Sequence, residues 1–212
     1  MFKKSDIICM ARIAEKAERY NEMKEYMRQV ASTPDPETGV VDLSNDERNL
    51  LSIAYKNVVN SKRVSWRILY QHIQKESKKE NSHYLKDITE FMNNVEKELI
   101  EVCMEILNLL DVYLIPGAAD GSQKVFYWKL KGDYYRYVCE FEKDEKKNEM
   151  KSKAREAYVC IVLITIDIKP PWTLVSKKNF SPPTLSCWDW LLTFLFSSMK
   201  LRTIHRRLVC FG

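Results

Sequence analysis

Lys56 and Arg63 stand seven residues apart in a stretch of helical periodicity. Seven residues turn a helix by about 700° and rise about 10 Å, so both cations lie on one stripe. Arg67 continues that stripe four residues on. A second stretch carries Lys129, Asp133, Arg136 and Tyr137. Asp133 and Arg136 are three apart, close enough for the carboxylate to hold the guanidinium. Two such helices face to face would form a fixed cationic pocket with a phenol donor. That chemistry suits a phosphate dianion: an arginine fork, a lysine point charge and a tyrosine hydroxyl. Spacing alone leaves a second reading open, a solvated charged face with surface ion pairs.

The elements that must position these residues are helices. Ile7, Ile8, Met10 or Ala11, Ala14 and Ala17 mark a first helix, reaching towards Tyr20, and Met23, Tyr26, Met27 and Val30 a second. Their apolar stripe reads either as core or as a seam between two copies. Thr33-Pro34-Asp35-Pro36 with Gly39 is a loop. Ser44-Asn45-Asp46-Glu47 has the pattern of a capping box. It opens a long third helix whose apolar residues run from Leu50 and Leu51 through Tyr55 and Trp66 to Ile73. Lys75 to Ser82 is polar and predicts a turn. Leu85 to Leu110 predicts a long fourth helix, ended by Ile115-Pro116-Gly117. Val125 to Phe141 predicts an aromatic-rich fifth, and Lys147 to about Ile164 a sixth. The β-branched run from Ile161 to Ile168 fits helix or strand. Short connections between long helices imply antiparallel neighbours.

Composition narrows the function classes. The chain has 212 residues, 45% apolar and 30% charged, enough to bury a core. Five scattered glycines form neither a dinucleotide fingerprint nor a phosphate loop. Six cysteines and three histidines show no zinc spacing, and no nucleophile–base pattern appears, so neither a metal, a cofactor nor an enzyme is expected. Reduced, mostly buried thiols are the default. No apolar run approaches the roughly 20 residues of a membrane span, and no signal peptide is recognised. A cytoplasmic protein is expected. The net charge of +5 conceals an asymmetry: residues 169–212 hold 7 of the 34 basic residues, 1 of the 29 acidic ones and three of the five tryptophans.

The motifs resemble those of the 14-3-3 family. Arg48-Asn49-Leu50-Leu51-Ser52-Ile53-Ala54-Tyr55-Lys56-Asn57-Val58-Val59 is similar to one family signature, with Ser65-Trp66-Arg67-Ile68 following at the expected spacing. Gly132-Asp133-Tyr134-Tyr135-Arg136-Tyr137 is similar to a second. Ala17-Glu18-Arg19-Tyr20 and Leu114-Ile115-Pro116 agree, and the resemblance runs from about residue 5 to about 160. It implies an all-α antiparallel helical bundle, about six of the family's nine helices being retained, in a protein that dimerises and binds phosphoserine or phosphothreonine segments of client proteins. By matching, Lys56, Arg63, Arg136 and Tyr137 would form the phosphate pocket and Lys129 would line the groove. Arg19 and Glu98 would form an ion pair between subunits. Asn94 replaces a lysine usual in many members, so a second pair with Glu22 loses its charge.

The resemblance divides the chain into an incomplete helical domain, 1–168, and an aberrant, poorly ordered tail, 169–212. The family would continue into a seventh helix that carries part of the peptide-binding wall. Instead the chain reads Ser181-Pro182-Pro183-Thr184-Leu185-Ser186-Cys187-Trp188-Asp189-Trp190. Back-translated and read from the third base of each codon, Trp188-Asp189-Trp190 must give Gly-Leu, and Met199-Lys200 must give Glu. With permissible choices at the degenerate bases, 181–201 reads as the missing helix. A frame-shifted or unspliced coding segment is therefore expected from about residue 181. The tail's basic, tryptophan-rich composition then needs no function, and neither nucleic acid nor membrane is an expected partner. Two functions follow. One is a phosphopeptide-binding adaptor, impaired by loss of the C-terminal helices. The other is a non-binding protomer that forms dimers with full-length relatives and disables them. Whether a homodimer or heterodimer forms is open.

Overall fold

The computed structural model describes residues 3–78 and 84–165. Among these there are six long helices and no strand. We label them α1 (Lys4–Lys16), α2 (Tyr20–Ser32), α3 (Asn45–Glu76), α4 (Leu85–Leu109), α5 (Gly121–Phe141) and α6 (Asp144–Thr165). The all-α expectation holds, and the tail beyond 165 lies outside the described residues.

Local chemistry sets several boundaries. The capping box is formed: the Ser44 hydroxyl accepts from the Glu47 amide, and the Ser44 amide donates to Glu47 Oε2 at 2.8 Å. Lys4 from α1 reaches the same carboxylate at 3.2 Å, tying the start of α1 to the start of α3. The first helix stops at Lys16, with Glu18 at φ 55°, and Tyr20 opens α2 rather than closing α1. α4 does not end where its α-helical hydrogen bonding stops. It runs through a π-helical turn, Leu110–Leu114, into a short piece, Ile115–Gly117. Gly117 is required there, because a Cβ would lie 2.6 Å from the Val41 carbonyl oxygen.

α5 starts at Gly121, four residues before the apolar periodicity predicts, because Asp120 caps it by accepting from the Gln123 amide at 2.6 Å. α6 starts at Asp144 rather than Lys147 and stays helical to Thr165. Cys160 and Leu163, three apart, are both buried, so the helical period prevails over β-branching in the described part of that run.

Contacts fix the directions. Trp66 meets Glu96 and Tyr55 meets Glu105, so α3 and α4 are antiparallel. Asp133 meets Tyr158 and Cys139 meets Lys147, so α5 and α6 are antiparallel. Arg63 meets Glu140 while Lys56 and Lys129 line one hollow, so α3 and α5 run in the same direction.

The core is a single cluster from all six helices, with Met23, Met27, Leu51, Tyr55, Leu99, Ile106, Leu110 and Tyr134 essentially fully buried. On α1 it is Ala11 and Ala14 that face this core; Met10 and Ile13 point to solvent. A charged knot crosses the core's edge. Lys24 reaches Glu105 at 3.0 Å, and the buried Tyr55 hydroxyl donates to the same carboxylate, joining α2, α3 and α4. Past Val59 the third helix leaves the core, with Val64 and Ile68 exposed and Trp66 half-buried. Among the described cysteines, Cys103, Cys139 and Cys160 are buried and Cys9 is exposed.

Candidate functional site

The parallel course of α3 and α5 brings the two cationic stripes side by side. Lys56 and Arg63 occupy one helix, Lys129 and Arg136 the other, and each pair is seven residues apart. Tyr137 lies between them. The guanidinium carbons of both Arg63 and Arg136 are 4.7 Å from the centre of its ring, a cation–π distance. The Tyr137 ring in turn packs edge-on against the buried Tyr134 at 5.6 Å between centres, and Tyr134 against Tyr55. The site therefore stands on the aromatic layer of the core.

Two carboxylates hold the cations. Glu140 accepts a forked bond from Arg63, with Nη2 2.7 Å from both oxygens and Nε at 3.1 Å. The same acid lies 3.8 Å from Arg136 Nη1. Asp133 faces Arg136 Nη2 at 3.7 Å and Lys129 Nζ at 3.8 Å. Lys56 is exposed and has no ion-pair partner among the described residues. Four cations and two acids leave a local charge of +2. A hollow of about 110 Å³ opens between Lys56, Lys129, Asp133 and Tyr137, with Ser52 on its wall. Such an arrangement can hold a dianion with several hydrogen-bond acceptors.

The predicted residues are not all equivalent. Lys56, Lys129 and Tyr137 line the hollow itself. Arg63 and Arg136 do not line it; both lie against the Tyr137 ring, and Arg136 borders a larger groove of about 670 Å³ between α5 and α6. Sequence reasoning missed Glu140 and Tyr158. Glu140 had a local signal, since it lies four residues after Arg136 on one helix face. Tyr158 had none. It comes from α6, and its hydroxyl donates to Asp133 Oδ1 at 2.8 Å. Burial, and then that bond, raise the Tyr158 phenol above its ordinary value, so it stays protonated and a donor.

Arg19 and Glu98 lie apart from this site. Arg19 precedes the first residue of α2 without a side-chain capping bond, and its Nε lies 2.9 Å from Glu22 of the same chain. Glu98 accepts from Lys62 at 2.5 Å. Glu22, Glu25, Glu98 and Glu101 share the wall of a hollow of about 490 Å³ between α2 and α4, together with Lys24 and Lys62. Among the described residues no cluster of histidine, cysteine or carboxylate side chains is arranged to hold a metal ion. No helix there is long and apolar enough to cross a membrane.

Residues 10–165 match the sequence profile of the 14-3-3 protein. The chain is 43% identical over 177 residues to the 14-3-3-like protein GF14-F of Oryza sativa subsp. japonica, covering 82% of this chain and 66% of that one. It is 42% identical over 181 residues to the checkpoint signal transducer rad24 of Schizosaccharomyces pombe, covering 84% and 65%. It is 44% identical over 184 residues to the 14-3-3-like protein GF14 psi of Arabidopsis thaliana, covering 85% and 71%. The chain thus spans about two thirds of the length of these relatives. The profile covers the second half of α1, all of α2 to α6 and both cationic stripes, and on that ground the chain belongs to the 14-3-3 family.

Proposed function

We propose that the chain is a phosphoserine- and phosphothreonine-binding adaptor for phosphorylated client proteins, a binding module and not an enzyme. The observation that carries this reading is the local charge of +2 around Tyr137, with Lys56 left without an acid partner among the described residues. A phosphorylated side chain carries about −1.5 to −2 charges at neutral pH, so it matches that excess. In this reading Lys56, Arg63, Arg136 and Tyr137 hold the phosphate, and Lys129 flanks the peptide. In this reading binding is weaker than in a complete groove, because from about residue 181 the sequence departs from the family's seventh helix, which carries part of the peptide-binding wall. The protein acts in the cytoplasm, with neither nucleic acid nor membrane as a partner.

A second reading rests on the acidic hollow between α2 and α4. Its carboxylates, Glu98 among them, suit the arginine of another protomer, with Arg19 as the candidate. Such a protomer would pair with itself or with a full-length relative. Without phosphopeptide binding, it would disable the partner's shared function.

Fluorescence anisotropy with a labelled phosphoserine peptide and its unphosphorylated twin separates the two. The adaptor reading expects binding of the phosphopeptide only, with loss in Lys56→Glu and Arg136→Ala. Dimerisation in sedimentation with no phosphopeptide binding would favour the second reading.

A further inference from the structure

Gly132 makes room for a residue from the neighbouring helix. A Cβ at this position would lie 2.9 Å from both Cε1 and Cζ of Tyr158. Only a bare backbone therefore lets the Tyr158 ring lie flat against α5. From that seat its hydroxyl reaches Asp133 Oδ1 at 2.8 Å, one residue beyond the glycine.

Asp133 has three neighbours of unequal strength. The Tyr158 bond is short and charge-assisted. Arg136 at 3.7 Å and Lys129 at 3.8 Å are loose contacts of exposed cations, whose side chains are 51% and 70% accessible. Such contacts hold little by themselves. The tyrosine is also neutral. It anchors the carboxylate without adding to or subtracting from the charge of the site. Released from Tyr158, Asp133 would be free to close on Arg136 as a tight ion pair. That would lock the guanidinium in an ion pair and neutralise a cation the anion needs.

We infer that Tyr158 is a positioning residue of the anion site: seated on Gly132, it holds Asp133 in the orientation that leaves Lys129 and Arg136 available to a phosphate. It touches no ligand itself. The inference rests on the phosphopeptide reading above. It also makes the pocket depend on α6, which contributes none of the cations.

The test is phosphoserine-peptide affinity of the full chain, Tyr158→Phe, Asp133→Asn, the double variant and Arg136→Ala, with thermal melting of each. Tyr158→Phe keeps the ring on Gly132 and removes only the hydroxyl. We expect it to weaken binding about five- to tenfold, the value of one hydrogen bond, with a melting temperature close to the parent's. In the Asp133→Asn background the same change should have a clearly smaller effect, since the carboxylate it restrains is gone and only its direct approach to Arg136 remains. A purely structural tyrosine would lower the melting temperature and act equally in both backgrounds, and that result overturns the inference. So does parent-like affinity of Tyr158→Phe. If Arg136→Ala loses binding while Tyr158→Phe does not, only the positioning role fails. If the parent itself binds no phosphopeptide, the inference falls together with the reading it rests on.

Discussion

Arg63 of α3 and Glu140 of α5, 77 positions apart in sequence, meet in a forked ion pair that joins the two helices carrying the anion site. The Arg63 side chain is only 16% accessible, whereas Arg136, at 3.7–3.8 Å from its acids, is 51% accessible. The two arginines therefore differ in what they do for the fold. Arg63 is part of the helix packing, and Arg136 is a solvated cation.

Glu140→Ala leaves Arg63 partly buried with no fork to hold it. A lost hydrogen bond to a charged group costs about 1.5–3 kcal/mol, less here because Glu140 is partly solvated, so about 1–2 kcal/mol is expected. For a chain of this length that lowers Tm by about 2–8 °C. Arg136→Ala should lower it by less than Glu140→Ala does, by about 0–4 °C, because exposed pairs contribute about 0–1 kcal/mol. Thermal melting followed by circular dichroism compares them directly. Equal shifts would refute the distinction.

Gly132→Ala should destabilise the chain by about 1–3 kcal/mol, since the added methyl must push the Tyr158 ring away from α5. The sign should reverse when the ring is absent. In a Tyr158→Ala background the same glycine change removes a helix-interior glycine at no steric cost, a gain of up to about 1 kcal/mol. Urea denaturation of the four proteins decides this. A penalty that persists without the ring would mean that the helix backbone, and not Tyr158, demands glycine.

Burial pushes the thiols of Cys103 and Cys160 up to about 12, while Cys9 is exposed. At pH 8 a thiol of that kind is ionised at about one part in ten thousand, and the thiolate is the reactive form. Iodoacetamide should therefore label Cys9 in the native protein and reach Cys103 and Cys160 only after denaturation, as read by peptide mass spectrometry. Native labelling of Cys103 at a rate near that of Cys9 would contradict the packing of the core.

Some elements were legible because their causes are local. Ser44 and Glu47 satisfy each other's amides across three residues, so the start of α3 is written in four letters. The stripe through Leu51, Tyr55 and Trp66 follows from helical pitch. Others were not. The start of α5 is one, because Gly121 to Lys124 carry no apolar signal and the turn is held by the Asp120 cap together with the Gln123 side chain, which accepts from the Ala119 amide and donates to Asp42. The π-helical turn at Leu110–Leu114 lengthens α4 with no residue that announces it.

The same division applies to the site. By itself the sequence determined that Lys56 and Arg63 share one stripe, as do Lys129 and Arg136, because seven residues make nearly two helical turns whatever surrounds them. It determined the reach from Asp133 to Arg136 for the same reason. Only the tertiary structure decided that these stripes run parallel and side by side, that Glu140 grips Arg63, and that Tyr158 reaches Asp133. Pitch constrains residues within one helix. The register between helices is set by side chains that interlock across 25 or 77 positions of chain, and no local period encodes it.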